Sequence, residues 1–326
     1  MAQQEGRGRP TMKDVAEAAG VSRALVSIVF RDAPGAGEET RRHVREVAER
    51  LGYRVDRRAQ LLRQSRTRTL GVVFDVHAAF HGEIVEELYP AADSRGLALS
   101  LSAITPMRTE EIAVESLLDE RVEGLVLLGS ALPAAALMDV ADRLPSVAVA
   151  RPTGGAMPAA RTDDRAGGRL AARHLVELGR RRVVYLDGGD VAGGRERREG
   201  HLEAMAEAGL PADVVAGGLD EEAGVRAARE LLDRSQLPDA VAAFNDRCAI
   251  GVLDVLLRAG VDVPREIAVI GFDDIRAGRL ETIGLSTIAQ DAAGLASDAV
   301  DLVVDGRPGA ERVRAPRLVV RRTTGG

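Results

Sequence analysis

Two short segments near the N-terminus carry apolar residues at helical spacing. The apolar positions are Val15, Ala16 and Ala19 in the first segment and Leu25, Val26 and Val29 in the second. Thr11 and Asp14 have the spacing of a capping box, Gly20 can end the first helix, and Ser22 can cap the second. The pattern therefore predicts a helix, a tight turn and a second helix within residues 11–30.

If the two apolar faces pack together, four residues of the second helix remain on its outer face. They are Arg23, Ala24, Ser27 and Ile28. This is the geometry of a helix-turn-helix, whose second helix presents its N-terminal residues to the DNA major groove. An ordinary pair of helices in an all-helical domain has the same spacing, so both interpretations stay open. A third helix is predicted from Thr40 to Leu51, with Gly37 as its cap and Gly52 at its end.

From Thr69 onward, short apolar runs alternate with amphipathic stretches. The apolar runs are residues 69–74, 97–103, 123–129, 145–150, 181–188, 212–217, 240–245 and 266–272. The amphipathic stretches lie around Ile84–Arg95, Glu110–Glu120, Ala134–Arg143, Arg195–Ala208, Glu221–Arg234 and Asp246–Ala259. Buried strands that alternate with helices predict parallel sheets with right-handed crossovers, here arranged as two similar lobes.

The charge differs sharply between the two parts of the chain. Residues 1–68 contain 15 Arg and Lys against 9 Asp and Glu, a net charge of +6, whereas the other 258 residues contain 29 against 41, a net charge of −12. Binding to nucleic acid requires basic charge on the contacting domain. The distribution therefore favours the helix-turn-helix interpretation of the N-terminal segment.

Composition narrows the class of protein. At 326 residues and 45% hydrophobic content, the chain is long enough for two or three domains with substantial cores. Its apolar runs fall short of the roughly 20 residues of a membrane span, and residues 1–10 are polar and lack a signal-peptide core, so we expect a cytoplasmic protein with no membrane partner. A single cysteine, Cys248, excludes an internal disulfide framework and a cysteine-clustered zinc site.

The segment TMKDVAEAAGVSRALVS, residues 11–27, resembles the head of the LacI/GalR (lactose-repressor) family of bacterial transcription regulators, and the resemblance continues nearly to the C-terminus. It implies an all-α helix-turn-helix head and an α/β two-lobed body with parallel sheets, like a periplasmic binding protein. It also implies a homodimer that binds double-stranded DNA at a near-palindromic operator and responds to a small-molecule effector. The DNA-binding residues expected from spacing and resemblance are Thr11, Ser22, Arg23, Ala24, Ser27, Ile28, Ala59 and Leu62.

The resemblance also divides the chain into segments. We expect a disordered tail at 1–10, a DNA-binding domain at 11–55, a hinge helix at 56–68 and an effector-binding body at 69–326. Within the body, lobe 1 covers about 69–161 and 290–316, and lobe 2 covers about 162–289 and 317–326. The hinge is too short for a stable isolated helix, so it should fold on DNA, where Leu62 would wedge into the minor groove beside Ala59. A passive basic linker is the alternative.

Polar residues that follow buried strands are candidates for the effector site, because ligands of α/β sheets bind at the carboxyl ends of strands. Spacing and resemblance together give seven candidates: Asp75, Phe80, Asp163, Arg197, Asn245, Asp246 and Asp273. Arg197 matches the family's ligand-binding arginine. Aromatic residues make up only 2% of the chain, and Phe80 is the candidate platform for a sugar ring. A sugar or polyol is the leading expectation, with a purine, an organic acid or a partner protein as alternatives.

Patterns that would indicate catalysis are weak. The glycine-rich stretch Gly188–Arg195 could cradle a phosphate but matches neither a Walker A nor a dinucleotide-binding motif. His77 and His81 lie four residues apart without a third ligand at metal-site spacing, and Cys248 has no histidine nearby in sequence. We therefore expect no enzyme activity, no cofactor and no metal. A solute-binding protein or a cytoplasmic enzyme on a two-lobed fold is the competing class.

Overall fold

The computed structural model describes residues 10–30, 33–53 and 67–325. The chain divides into two compact units, with the division between Thr67 and Arg68. The N-terminal unit is the head and the C-terminal unit is the body, and each is described separately below.

Three helices form the described part of the head: α1 (Met12–Ala18), α2 (Arg23–Phe30) and α3 (Glu38–Leu51). Their shared core consists of Val15, Ala16, Ala19, Val26, Val29, Val44, Val47 and Ala48. The helix α3 begins at Glu38, two residues before the predicted start, because Gly37 in an extended conformation is its N-cap. At its other end Gly52 has a φ of 67°, the left-handed conformation that glycine adopts without strain.

The body alternates strands and helices throughout. In chain order its elements are β1 (Thr69–Asp75), α4 (Ala79–Ser94), β2 (Ala98–Ile104), α5 (Glu110–Asp119), β3 (Gly124–Leu128), α6 (Ala134–Arg143), β4 (Ser146–Val149), β5 (Ala159–Thr162), α7 (Asp164–Glu177), β6 (Val183–Asp187), α8 (Gly194–Glu207), β7 (Asp213–Ala216), α9 (Glu221–Leu232), β8 (Ala240–Ala243), α10 (Asp246–Arg258), β9 (Ala268–Asp273), a 3-10 turn (Arg276–Arg279), β10 (Ser286–Ala289), α11 (Ala292–Asp305), β11 (Glu311–Arg314), β12 (Arg317–Val319) and a final 3-10 turn (Arg322–Thr324).

The strands of the body form two six-stranded sheets. Lobe 1 contains the sheet β11-β5-β4-β3-β1-β2, and lobe 2 contains the sheet β12-β10-β9-β8-β6-β7. The paired strands run parallel except for β10 and β12, which are antiparallel. The chain crosses between the lobes three times: after β5, after β10 and after β11. Neither lobe is therefore continuous in sequence, and the α/β two-lobed architecture expected from the sequence is confirmed.

Each sheet is covered by helices on both faces, as parallel sheets require. In β1, Leu70 and Val72 pack into one apolar cluster of lobe 1, whereas Val73 packs into the cluster on the opposite face. In β9, Val269 and Ile270 separate in the same way between the two clusters of lobe 2. The uninterrupted apolar runs of the sequence are thus strands buried on both sides.

The predicted runs and stretches do not include β5, β10, β11, β12, α7 and α11. A further difference lies in α4. The helix begins at Ala79, five residues before the predicted start at Ile84. Phe80, Ile84 and Leu88 recur every four residues and all pack into lobe 1. The early start is hidden in the sequence because Ala78, the N-cap, makes no side-chain cap hydrogen bond and Gly82 lies in the first turn. Among the helices of the described residues, none has the length and apolarity needed to span a bilayer.

Candidate functional site

The outer face of α2 carries the four residues that the spacing leaves away from the core. Val26 and Val29 are completely buried against the rest of the head. Of the four residues expected on the outer face, Arg23 and Ala24 are exposed, and Ser27 and Ile28 are half-buried. The side chain of Ile28 lies close to Gly35: a Cβ added to Gly35 would be 3.7 Å from the Ile28 Cδ1. The first turn of α2 is therefore the most accessible part of the predicted contact surface.

Two caps fix where the helices of the head begin. The Oγ of Ser22 accepts a hydrogen bond from the Leu25 N–H at 3.1 Å, one turn into α2. At α1, the backbone N–H and the hydroxyl of Thr11 donate to the Asp14 carboxylate at 2.7 and 2.8 Å. The capping box predicted from the sequence is thus present. Ala59 and Leu62 lie outside the described residues.

In the body, the carboxyl ends of the two sheets meet at a cleft. The backbone carbonyl of His77, which follows β1 in lobe 1, accepts a hydrogen bond from the Arg247 guanidinium at the start of α10 in lobe 2. Ligands of parallel sheets bind at such ends. The polar groups at the ends of β1, β6, β8 and β9 therefore define the candidate effector site.

Arg197, on α8, lies at the centre of the lobe 2 side of this site. Its Nε donates to the Asp164 carboxylate at 2.8 Å, and its Nη1 donates to the Phe244 carbonyl at 2.9 Å. The guanidinium lies 3.6 Å from the centroid of the Phe272 ring and 4.7 Å from that of Phe244. Cation–π contact with two rings and charge-assisted hydrogen bonds hold the guanidinium in one orientation.

Asp273 ends β9 beside Arg197. One carboxylate oxygen accepts a hydrogen bond from the Gln290 Nε2 at 2.7 Å and lies 3.5 Å from the Arg197 Nη1. Burial raises the pKa of Asp273 to about 6, although Arg197 and Gln290 both favour the ionised form. The residue has a φ of 113°, a strained conformation for a side chain with a Cβ. Arg197 and Asp273 were both predicted for the site, and they come together in the fold.

Asp164, the other partner of Arg197, is absent from the candidates chosen from the sequence. Asp163 was chosen instead, but its carboxylate accepts a hydrogen bond from the Ala166 N–H and caps α7. Asp164 is the first residue of that helix and is 2% exposed. Burial raises its pKa, and the positive charge of Arg197 opposes this shift. The only signal in the sequence was the Asp-Asp pair itself, which does not show which residue caps the helix.

Three further candidates have structural roles that differ from the prediction. The Oδ1 of Asn245 accepts from the Cys248 N–H and caps α10, and its Nδ2 donates to the Leu219 carbonyl. Asp246 is completely buried, and its two oxygens accept hydrogen bonds from the Thr287 hydroxyl at 2.6 Å and the Ile275 N–H at 2.8 Å. Phe80 is 7% exposed and packs into the core of lobe 1. Asp246 therefore connects elements within lobe 2 through both of its oxygens, and the Phe80 ring is part of the lobe 1 core.

On the lobe 1 side, Asp75 ends β1 and accepts a hydrogen bond from the His77 N–H at 2.8 Å. The Asp75 N–H donates to the Nδ1 of His81 at 3.1 Å, and burial lowers the pKa of His81 to about 4. His81 is therefore neutral at pH 7, with its proton on Nε2. That nitrogen lies beside Gly129, which directly follows β3. A Cβ added to Gly129 would be only 2.6 Å from the His81 Nε2. In the sequence, His81 stands out only by its spacing of four residues from His77, and that spacing does not show the hydrogen bond to Asp75.

The glycine-rich stretch after β6 packs against the site. A Cβ at Gly188 would lie 2.5 Å from the Phe244 ring, and one at Gly193 would lie 2.8 Å from the Asp164 carboxylate. These close approaches explain why glycine is needed at both positions, without a role in binding phosphate.

Cys248 is buried, and burial raises the pKa of its thiol to about 12. Within the described residues, no group of three or more potential ligands is arranged to hold a metal ion.

A basic helix-turn-helix head followed by a two-lobed body with a polar cleft defines a class of protein, the ligand-responsive DNA-binding regulator. Comparison with known families supports this class. The model of the bacterial regulatory proteins, lacI family, matches residues 11–56. The model of the periplasmic binding protein-like domain matches residues 172–324.

Comparisons with whole proteins identify the family. The transcriptional regulator GalR of Escherichia coli K12 is 35% identical over 324 residues, covering 95% of this chain and 94% of GalR. A solved complex of the transcriptional regulator CelR with cellobiose is 30% identical, covers 97% of this chain and 100% of that chain, and has a TM-score of 0.71. The lac repressor dimer bound to operator is 26% identical, covers 97% and 99%, and has a TM-score of 0.83. The chain belongs to the LacI family of transcriptional regulators.

Proposed function

We propose that this regulator represses transcription as a cytoplasmic homodimer that binds a near-palindromic operator and is controlled by a small neutral, hydroxyl-rich effector in the cleft. Two heads related by a two-fold axis read two half-sites in the major groove. The contacts to DNA come from Thr11, Ser22, Arg23, Ala24, Ser27 and Ile28. The exposed first turn of α2 supports Arg23 and Ala24 most directly.

The hinge contributes a second set of DNA contacts. Leu62, with Ala59 beside it, inserts into the minor groove at the centre of the operator, and the inserted side chain bends the duplex. This part of the proposal rests on the resemblance of residues 56–68 to the family's hinge helix. It connects the lobes of the body to the DNA through the segment that precedes β1.

The charge balance around Arg197 supports a neutral effector. The Arg197 guanidinium faces two carboxylates, those of Asp164 and Asp273. An anion such as a phosphate ester or an organic acid would have to compete with them for the same donors. A neutral ligand with several hydroxyl groups can instead accept hydrogen bonds from arginine and donate to aspartate without displacing either.

Neighbouring arginines at the strand ends are paired in the same way. Arg198 lies 2.5 Å from the Asp187 carboxylate, and Arg321 lies 2.6 Å from that of Asp274. Neutralised cations leave little excess positive charge to attract an anionic ligand. On the lobe 1 side, the neutral His81 supplies a single N–H donor from a fixed tautomer. The contact set proposed for the effector is therefore Asp75, His81, Asp164, Arg197 and Asp273, with Asn245 at its edge.

The full-length chain can be tested against matched pairs of ligands by calorimetry. Each pair consists of a neutral sugar and its phosphate ester, for example ribose with ribose 5-phosphate and glucose with glucose 6-phosphate, and cellobiose is added as a neutral disaccharide. We expect binding by a neutral member, lost in Arg197→Ala, and weaker binding by its ester. Tighter binding by an ester, with the same dependence on Arg197, would contradict the neutral-effector proposal while leaving the regulator itself unaffected.

A further inference from the structure

Two arginines of lobe 2 reach across the cleft to a single segment of lobe 1. The backbone N–H of Arg276 donates to the Glu83 carboxylate at 3.3 Å, its Nε lies 3.8 Å from the same carboxylate, and its Nη2 forms an ion pair with Glu86. The Arg247 guanidinium donates to the His77 carbonyl. All three partners in lobe 1 lie within residues 77–86, at the end of β1 and the start of α4.

The charges on the two sides are complementary. Glu83 and Glu86 are three residues apart on α4 and therefore face the same side of the helix. Arg247 is oriented by Glu221 of its own lobe, whose carboxylate accepts from the Arg247 Nε at 2.9 Å, so that another nitrogen is directed at lobe 1. In these contacts lobe 2 contributes two arginine side chains and one backbone N–H, and lobe 1 contributes two carboxylates and a carbonyl. Closing the lobes therefore brings opposite charges together.

The position of Arg276 depends on a strained turn that begins in the candidate site. Asp273 and Asp274 are consecutive and both have positive φ, 113° and 61°. Such conformations persist only where surrounding contacts hold them. Here Gln290 bonds the carboxylate of Asp273 at 2.7 Å, and Arg321 bonds that of Asp274 at 2.6 Å. Only two residues lie between Asp273 and Arg276, so a ligand that moves Asp273 also moves the arginine that contacts lobe 1.

We propose that Arg276 and Arg247, with Glu83, Glu86 and the His77 carbonyl, form an ionic clasp that holds the two lobes closed and makes closure sensitive to ionic strength. Removing one exposed ion pair changes an equilibrium by about two- to five-fold. The Debye length falls to about 3 Å at 1 M salt, so concentrated salt weakens all the ion pairs of the clasp together. The clasp rests on the two-lobed fold and does not depend on which effector binds.

Lobe separation can be measured by pulsed electron paramagnetic resonance between two nitroxide labels in the full-length chain. Met107→Cys and Leu219→Cys place labels in the loops after β2 and β7, the strands at the outer edge of each sheet, away from the three crossovers. Met107 is 93% exposed and Leu219 is 41% exposed. Cys248 is buried with a raised thiol pKa and should not compete for the label. Diluting labelled chains with unlabelled ones confines the measured distances to one subunit.

For the otherwise unchanged protein, we expect one short distance in dilute salt and a growing longer-distance population at about 1 M salt. Arg276→Gln should show the longer distance already in dilute salt, with two- to five-fold more open molecules and a reduced response to added salt. Arg276→Glu should open the lobes further, and Arg276→Glu combined with Glu86→Arg should restore the short distance.

Arg258→Gln is the matched control, because it removes an exposed arginine that pairs with Asp254 inside lobe 2. It should leave the distance distribution unchanged. The clasp would be excluded if Arg276→Gln gave the original distribution at both salt concentrations. It would also be excluded if Arg258→Gln opened the lobes as much as Arg276→Gln, since the effect would then reflect surface charge in general.

Discussion

The guanidinium of Arg197 donates to the carboxylate of Asp164 across 2.8 Å, and the two side chains are only 8% and 3% exposed. Both charges are thus almost completely removed from water, and each compensates for the burial of the other. A buried pair of this kind contributes little by itself relative to apolar residues, but removing one partner leaves an uncompensated charge. The pair links α7 to α8 and fixes the group that is proposed to contact the effector.

Asp164→Ala should therefore destabilise the body by about 3–5 kcal/mol in chemical unfolding. Asp273, 3.5 Å from Arg197, would remain as a more distant counter-charge. The control is Glu203→Ala, which removes the carboxylate that pairs with Arg165 and Arg169 on the exposed faces of α7 and α8. Exposed pairs contribute roughly 0–1 kcal/mol, so an equal loss in the two variants would show that the buried pair has no special role.

His201 should make stability depend on pH. It is completely buried, lies against the Tyr185 ring at a centroid distance of 4.8 Å, and has neither ring nitrogen hydrogen-bonded within the described structure. Burial lowers its pKa to about 4. Between pH 6.5 and 4 the unfolded chain binds the proton and the folded chain does not, so the contribution of His201 to stability falls as the pH falls.

His201→Phe should remove this dependence, because phenylalanine keeps the ring and has no group to protonate. We expect the variant to gain about 1–3 kcal/mol of stability relative to the original protein when the pH is lowered from 7 to 4. Replacement of the exposed His43 by glutamine is the control. If the difference in unfolding free energy between the variant and the original protein stayed constant from pH 7 to pH 4, His201 would have the same pKa in the folded and unfolded states.

Asp273 should have the opposite effect. Its pKa is raised to about 6 in the folded protein, above the ordinary value of 3.8, so the folded chain binds the proton more tightly. The contribution of Asp273 to stability is therefore present at low pH and is lost as the pH rises from about 4 to about 6. Relative to the original protein, Asp273→Asn should gain about 1–3 kcal/mol of stability over that rise. If Asp273→Asn instead gained stability relative to the original protein as the pH falls, folding would lower the pKa of Asp273 and not raise it.

Local signals predicted most of the elements but not the contacts between them. The capping box of Thr11 and Asp14, the spacing of Val26 and Val29, and the alternating pattern of the body all depend on neighbouring residues. The approach of residues 164, 197 and 273 depends on sheet order and on the helix contacts that lobe 2 forms. The sequence gives the residue types of the site, and only the fold decides which carboxylate faces the arginine.

Two candidates whose side chains have other partners in the fold show the same dependence. Asp246 follows a strand, as a ligand-binding residue would, yet its helix turns the carboxylate into the protein toward Thr287 and Ile275. Phe80 is a candidate platform because aromatic residues are scarce in the chain and it follows the first strand. Once the helix begins at Ala79, the four-residue spacing with Ile84 places the ring in the core. In both cases the start or direction of a helix determined the side-chain orientation.

The hinge prediction concerns Leu62. If this leucine wedges between base pairs, Leu62→Ala should weaken operator binding and reduce DNA bending, because the smaller side chain cannot hold the bases apart. Bending can be measured by fluorescence energy transfer across the operator, and the unfolding free energy of the body serves as the control for folding. Equal bending by the original protein and the variant would support the passive-linker alternative.

The final prediction concerns sequence recognition by the head. Arg23 is exposed on the first turn of α2, where a guanidinium can donate two hydrogen bonds to the O6 and N7 of one guanine. Arg23→Ala should therefore cost about 1–3 kcal/mol of operator affinity and relax the preference at one base position in each half-site.

Arg50→Ala is the control, since it removes a charge from the exposed last turn of α3 and leaves α2 unchanged. If it affects binding at all, it should lower affinity for all sequences alike and reduce the salt dependence. Selection of binding sites from random DNA measures both effects. An unchanged preferred sequence for Arg23→Ala would show that the first turn of α2 does not contact the bases.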